Sequence, residues 1–164
     1  MHNVKSLADM KRRRAKIVML TAYDFLFASL VEKSGADIVL CGDSLGMVFN
    51  GHNTTIPVTM DEMIYHAKAV RRGAPETFLV VDMPFMSYQA SKSQAVKNAG
   101  RIMKETGAQA VKIEAGTWAA PTVKAIVMAG IPVMGHIGTM PQSVNRYGGY
   151  LVSAADDKGK KELV

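Results

Sequence analysis

Four apolar runs in this chain each lead to a side chain able to do chemistry. Ile38-Val39-Leu40-Cys41 passes through Gly42 to Asp43 and Ser44. Phe78-Leu79-Val80-Val81 ends at Asp82, Ala110-Val111-Lys112-Ile113 at Glu114, and Ile131-Pro132-Val133-Met134-Gly135 at His136. A carboxylate at the end of a buried run must find water, an ion-pair partner or a metal. Acids in the same register at successive run ends therefore point to one shared site. Asp43, Asp82 and Glu114 are hard oxygen ligands, which suit Mg²⁺ or Mn²⁺ better than zinc. Lys112 stands two residues before Glu114, so the period of a strand puts both side chains on one face. A lysine inside an apolar strand needs an anion, either a neighbouring carboxylate or a substrate. A metal with open positions beside an ammonium group suits a 2-oxo acid, which chelates through its keto and carboxylate oxygens. The metal then stabilises the enolate left when the neighbouring carbon loses a proton. Ser44 reads either as a helix cap or as a donor to the substrate carboxylate. His136 reads either as a core histidine or as part of the same rim. Cys41 reads as plain core, His52 as a loop residue and His66 as helix surface.

The elements that must position these groups alternate regularly. Residues 1–15 read as an N-terminal helix with Val4, Leu7, Ala8 and Met10 on one side, followed by a basic run that suits a helix C-terminus. Lys16 to Thr21 is the first strand, Phe25 to Ser34 a helix, and Gly35-Ala36-Asp37 the turn into the Ile38 strand. A long Gly/Thr/Asn-containing connection, Met47 to Val58, is a candidate active-site loop. Thr59 with Glu62 three residues on is a capping-box pattern, and the helix it opens ends near Gly73. Helices over 91–106 and 118–128 follow the third and fourth strands. This βα alternation predicts a parallel sheet covered by helices, with polar groups at the carboxyl ends of the strands. Both an open doubly wound sheet and a (β/α)8 barrel place sites there. Neither GxGxxG nor GxxxxGK[ST] occurs where a nucleotide fold needs it.

With 164 residues, 48% of them hydrophobic, the chain suffices for one compact domain. The formal net charge is +6, but outside residues 11–16 the basic residues are scattered without aromatic interleaving, so neither nucleic acid nor a membrane surface is an expected partner. Cys41 is the single cysteine, which suits a reducing compartment. No apolar stretch approaches the ~18 residues of a membrane span, and residues 1–16 lack the apolar segment of a secretory leader. Residues 153–164 form a charged tail.

Many motifs in order closely resemble one family. They are Thr21-Ala22-Tyr23-Asp24, Gly42-Asp43-Ser44-Leu45-Gly46-Met47, Gly51-His52 through Thr55 with Pro57-Val58-Thr59, Tyr65-His66, and Val70-Arg71-Arg72-Gly73-Ala74-Pro75. Asp82-Met83-Pro84-Phe85-Met86, Val111-Lys112-Ile113-Glu114, and Gly135-His136-Ile137-Gly138 with Pro141-Gln142-Ser143 complete the set. The chain resembles ketopantoate (3-methyl-2-oxobutanoate) hydroxymethyltransferases. That resemblance implies a (β/α)8 barrel of the phosphoenolpyruvate/pyruvate superfamily, of which this chain supplies the first five βα units. It implies Mg²⁺-dependent transfer of a hydroxymethyl group from the co-substrate 5,10-methylenetetrahydrofolate to 3-methyl-2-oxobutanoate, giving 2-dehydropantoate for pantothenate synthesis. By motif, Asp43, Asp82 and Glu114 match the metal site, Asp43, Ser44, Asp82 and Lys112 the 2-oxo acid contacts, and Lys112 and His136 the catalytic pocket. The family is cytoplasmic in bacteria and assembles as homo-oligomers, often decamers. It continues through strands six to eight, with a glutamate after strand six as the proposed general base, whereas this chain stops at Val164 without it. The expectation is a C-terminally truncated member whose open sheet edges weaken folding or force association. Two alternatives stand beside it: a non-catalytic 2-oxo acid and Mg²⁺-binding fragment, and another 2-oxo acid C–C lyase or mutase of the same superfamily.

Overall fold

The structure, a computed structural model, describes residues 1–114 and 116–150. The expected charged tail, 153–164, lies outside the described residues. Helix α1 (Val4–Arg12) precedes β1 (Met19–Thr21), α2 (Phe25–Ser34) and β2 (Ile38–Cys41). A single turn, α3 (Leu45–Val48), and then α4 (Met60–Gly73) lead to β3 (Phe78–Asp82). Helix α5 (Lys92–Thr106), β4 (Ala110–Glu114), α6 (Ala120–Met128), β5 (Val133–His136) and α7 (Val144–Tyr147) complete the described chain.

Local chemistry explains most of these boundaries. Asp24 accepts a hydrogen bond from the Phe27 backbone at the start of α2, and Gly35 closes that helix in the left-handed region at φ 74°. Thr59 and Glu62 form the expected capping box on α4, and Ser91 caps α5. Strand β1 is shorter than its apolar run. The Asp37 carboxylate accepts the Val18 N–H at 2.7 Å, taking that donor out of the ladder. Strand β5 likewise starts after Pro132, which has no N–H to give.

All pairings are parallel, and the order is β1-β2-β3-β4-β5, each strand beside the next in sequence. A doubly wound sheet reverses its order at a switch point. The described strands contain no reversal, so they progress as a (β/α) barrel does. Period-2 alternation divides the core accordingly. Val39, Cys41, Leu79, Val81, Val111 and Ile113 face the helices and pack with Ala28, Met63, Val70, Ala99, Ile102 and Ile126. Ile38, Leu40, Phe78, Val80 and Ala110 face the other way into a second cluster, against Met134 and Leu7 of α1. The N-terminal helix thus abuts the inner face of the sheet through Leu7.

Candidate functional site

The inner-facing parity that carries Phe78, Val80 and Ala110 also carries Asp82, Lys112 and Glu114, and on β5 Met134 and His136. The functional side chains are therefore delivered to one rim by the pleat. Asp82 and Lys112 are register partners across β3 and β4. Lys112 Nζ donates to Asp82 Oδ1 at 2.8 Å, with the two side chains only 14% and 8% exposed. In the structure the lysine's anionic neighbour is the Asp82 carboxylate. Asp82 Oδ2 accepts the Asp43 backbone N–H at 3.2 Å. Gly42 permits that approach, since a Cβ there would lie 3.3 Å from Asp82 Oδ2 and 3.0 Å from Ser44 Oγ. Ser44 precedes α3 but makes no side-chain cap bond. Its hydroxyl lies 2.9 Å from Tyr23 OH instead, so the helix-cap reading of Ser44 is corrected.

Electrostatics at the rim are strained in one direction. Burial, and then the Asp82 charge, push the Asp43 carboxyl up to about 7. Burial, and then the Asp43 charge, push Glu114 up to about 8. Carboxyl groups displaced this far, on one rim, are the pattern of a functional cleft. His136 is displaced downward by burial and then by the Lys112 ammonium, so its neutral form is favoured. Its Nδ1 lies 3.9 Å from Glu114 Oε1, too far for a hydrogen bond, and is buried without another partner.

Two residues without an assigned role occupy the centre of this arrangement. Gln142, 5% exposed, follows β5 in a 3₁₀ turn. Its Nε2 donates to Asp43 Oδ2 at 2.7 Å and to the Met83 carbonyl at 3.0 Å, and its backbone N–H donates to Glu114 Oε2 at 3.0 Å. Tyr88, 1% exposed, donates to Gln142 Oε1 at 2.8 Å and accepts the Glu114 backbone N–H at 3.2 Å. Burial raises the Tyr88 phenol, keeping it a donor.

The three carboxylates do not meet as a finished ligand set: among the described residues no group of three or more His, Cys, Asp or Glu side chains is arranged to hold a metal ion. Gln142 bridges Asp43 and Glu114 and takes one oxygen of each. The donor chemistry nevertheless fits a hard divalent cation. Three carboxylates face one ammonium, and Mg²⁺ needs only one or two carboxylates, its other positions going to water and substrate oxygens.

A family model described as ketopantoate hydroxymethyltransferase matches residues 1–164. The chain belongs to the ketopantoate hydroxymethyltransferase family. It is 54% identical over 162 residues to 3-methyl-2-oxobutanoate hydroxymethyltransferase of Pseudothermotoga lettingae, covering 99% of this chain and 61% of that protein. It is 55% identical over 161 residues to the protein of the same name from Carboxydothermus hydrogenoformans, covering 98% of this chain and 58% of that one. The chain thus spans about three fifths of the length of these curated relatives. Among solved structures, 2,3-dimethylmalate lyase, a PEP mutase/isocitrate lyase superfamily member, matches with a TM-score of 0.64 at 14% identity, covering 99% of this chain and 66% of that one. Oxaloacetate acetylhydrolase matches with a TM-score of 0.63 at 11% identity, covering 85% and 54%. At such identities the likeness shows the fold, and it agrees with the barrel-like order of the sheet.

Within this ketopantoate hydroxymethyltransferase family member, the structure brings Asp43, Ser44, Asp82, Lys112, Glu114 and His136 to one rim. His52 is exposed in its connection, as expected. His66 is not helix surface: it is 7% exposed, and its Nδ1 donates to the Tyr23 carbonyl at 2.7 Å, tying α4 to the segment that carries Tyr23. Gln142 stands in the Pro141-Gln142-Ser143 motif, but an uncharged amide in a loop carries no period and no charge by which its role could be read. Tyr88 is in the same position: its aromatic ring reads as core, and only its partners reveal the hydroxyl.

Proposed function

We propose that the chain carries the cation- and 2-oxo acid-binding part of a hydroxymethyltransferase site. The reaction joins C3 of 3-methyl-2-oxobutanoate to the one-carbon unit of 5,10-methylenetetrahydrofolate and yields 2-dehydropantoate for pantothenate synthesis. Family membership supports the reaction class. The observation that carries the reading to these residues is the buried Lys112–Asp82 pair at 2.8 Å, set between Asp43 and Glu114 on one rim.

Asp43, Asp82 and Glu114 would hold Mg²⁺. When bound, the metal supplies Lewis acidity toward the keto and carboxylate oxygens of the substrate. Lys112 places a fixed ammonium beside that region, where it offsets the charge that grows on the keto oxygen as C3 loses its proton. Preorganised charge in a site poor in water is worth far more than the same charge in solvent. Ser44 donates to the substrate carboxylate, with Tyr23 OH holding the hydroxyl in place. His136, favoured in its neutral form, lines the pocket as a polar wall that adds no charge of its own. Removal of the C3 proton is not assigned to a residue of this chain. A reducing, cytoplasmic setting and homo-oligomeric assembly belong to the same proposal. Supporting them are the single buried Cys41 and the apolar side chains that α2 leaves exposed, Phe25, Leu26 and Leu30.

The test is Mg²⁺-dependent deuterium exchange at C3 of 3-methyl-2-oxobutanoate, followed by proton NMR without folate. Exchange that requires Mg²⁺ supports an assembled enolising site. Tight 2-oxo acid binding with no exchange, in folded protein, reduces the chain to a binding fragment. Release of a C–C cleavage product from a longer 2-oxo acid favours a lyase instead.

A further inference from the structure

We infer that Gln142, held by Tyr88, is a positioning residue that sets the Asp43 and Glu114 carboxylates for the cation and substrate; the inference rests on the function proposed above. Its amide can sit only one way. One end faces two acceptors, the Asp43 carboxylate and the Met83 carbonyl, and must be the NH₂ group. The other end faces two donors, the Tyr88 hydroxyl and Gln89 Nε2 at 3.2 Å, and must be the carbonyl. The Tyr88 hydroxyl oxygen accepts the Glu114 N–H, and of the two acceptors within reach of its proton Gln142 Oε1 at 2.8 Å is nearer than the Glu114 carbonyl at 3.1 Å. Every polar atom of the Gln142 side chain is therefore committed, and the residue is 5% exposed.

The geometry does more than satisfy buried groups. Gln142 reaches Asp43 after β2, Met83 after β3 and Glu114 on β4 from a turn after β5, so one side chain and its own backbone N–H tie four strand ends together. It fixes Oδ2 of Asp43 and Oε2 of Glu114, which sets the rotation of each carboxylate about its last bond and decides how the opposite oxygen is presented. Partners that orient ligating groups in this way typically cost 10- to 100-fold in metal affinity when lost. An ionised glutamate here could not substitute, since it would face the Met83 carbonyl without a proton to donate.

The experiment measures Mn²⁺ binding to the chain by loss of the free-ion EPR signal, for the unaltered protein, Gln142→Met and Tyr88→Phe, with thermal midpoints alongside. The Met side chain keeps most of the volume and removes every side-chain hydrogen bond. The expected result is a Kd raised about tenfold or more for Gln142→Met. Tyr88→Phe is expected to shift in the same direction by a smaller factor, above about twofold, in protein that remains folded. A merely structural role lowers the thermal midpoints and leaves the Kd of the folded variants unchanged, which overturns the inference while the proposed function stands. Tyr88→Phe decides the matter should Gln142→Met fail to fold. If the unaltered chain binds no Mn²⁺, the cation reading of the proposed function falls and this inference falls with it.

Discussion

Lys112 is the residue on which the most can be tested. Its ammonium and the Asp82 carboxylate are both nearly buried, so removing one member strands the other. Lys112→Met is expected to lower unfolding stability by about 3–5 kcal/mol, read from urea denaturation. Pairing it with Asp82→Asn is expected to restore a large part of that loss, since the buried charge goes as well. A single substitution that costs nothing would show that the pair is open to solvent. On function, Lys112→Ala is expected to slow Mg²⁺-dependent C3 exchange by about 10²–10³-fold, the usual cost of a lost charge stabiliser. The part of the site that depends on charge at a run end was legible from residue types: Asp43, Asp82, Lys112 and Glu114 break apolar runs and therefore declare themselves. Gln142 and Tyr88 do not, because an amide in a loop and a ring in a core break no pattern. Only the approach of Gln142 to Asp43, 99 positions away, gives either one a role.

At the scale of elements, capping chemistry carried most of the reading. Thr59 with Glu62, and Ser91, open helices where the side chains say they should. Thr59→Ala is expected to cost about 1 kcal/mol, measured as a lowered thermal midpoint with an unchanged helical CD spectrum. The close approach of α4 to α2 was less legible. Gly73 stands where a Cβ would lie 2.3 Å from the Phe25 carbonyl oxygen and 2.8 Å from Ala28 Cβ, so the glycine is there for contact as well as for helix ending. Gly73→Ala is expected to destabilise by about 1–3 kcal/mol through overpacking, with chemical denaturation as the check; a neutral result would mean the two helices separate freely. The shortness of β1 and the single turn α3 escaped the sequence reading for a related reason. Both are set by tertiary partners: the Asp37 carboxylate takes the Val18 N–H, and Ser44 serves Tyr23 rather than the helix it precedes.

For the whole molecule, the displaced carboxyl groups make stability depend on pH and on cations together. Asp43 and Glu114 hold their protons to about 7 and about 8 in the folded chain, against ordinary values near 4 when unfolded. The folded state therefore binds more protons at these two groups across that window, and their contribution to stability falls as pH rises from about 4 through 8. In EDTA the thermal midpoint is expected to drop between pH 5 and 8.5, and saturating Mg²⁺ to flatten the slope most at the alkaline end. A midpoint that rises over that range without metal would contradict the electrostatics described here. The barrel-like order of the strands was only half legible, because alternation alone suits two architectures and pairing partners decide between them. That order also bears on how the molecule is made. Each described strand pairs with the next to leave the ribosome, so this part of the sheet can grow in the direction of synthesis, one βα unit docking on the last. Asp43 and Asp82 meet as soon as β3 arrives, but their neighbour Gln142 is not yet made. The carboxylate rim thus gathers early and is locked late, and a pause in translation after β4 would leave Asp43, Asp82 and Glu114 in place without the residue that ties them together.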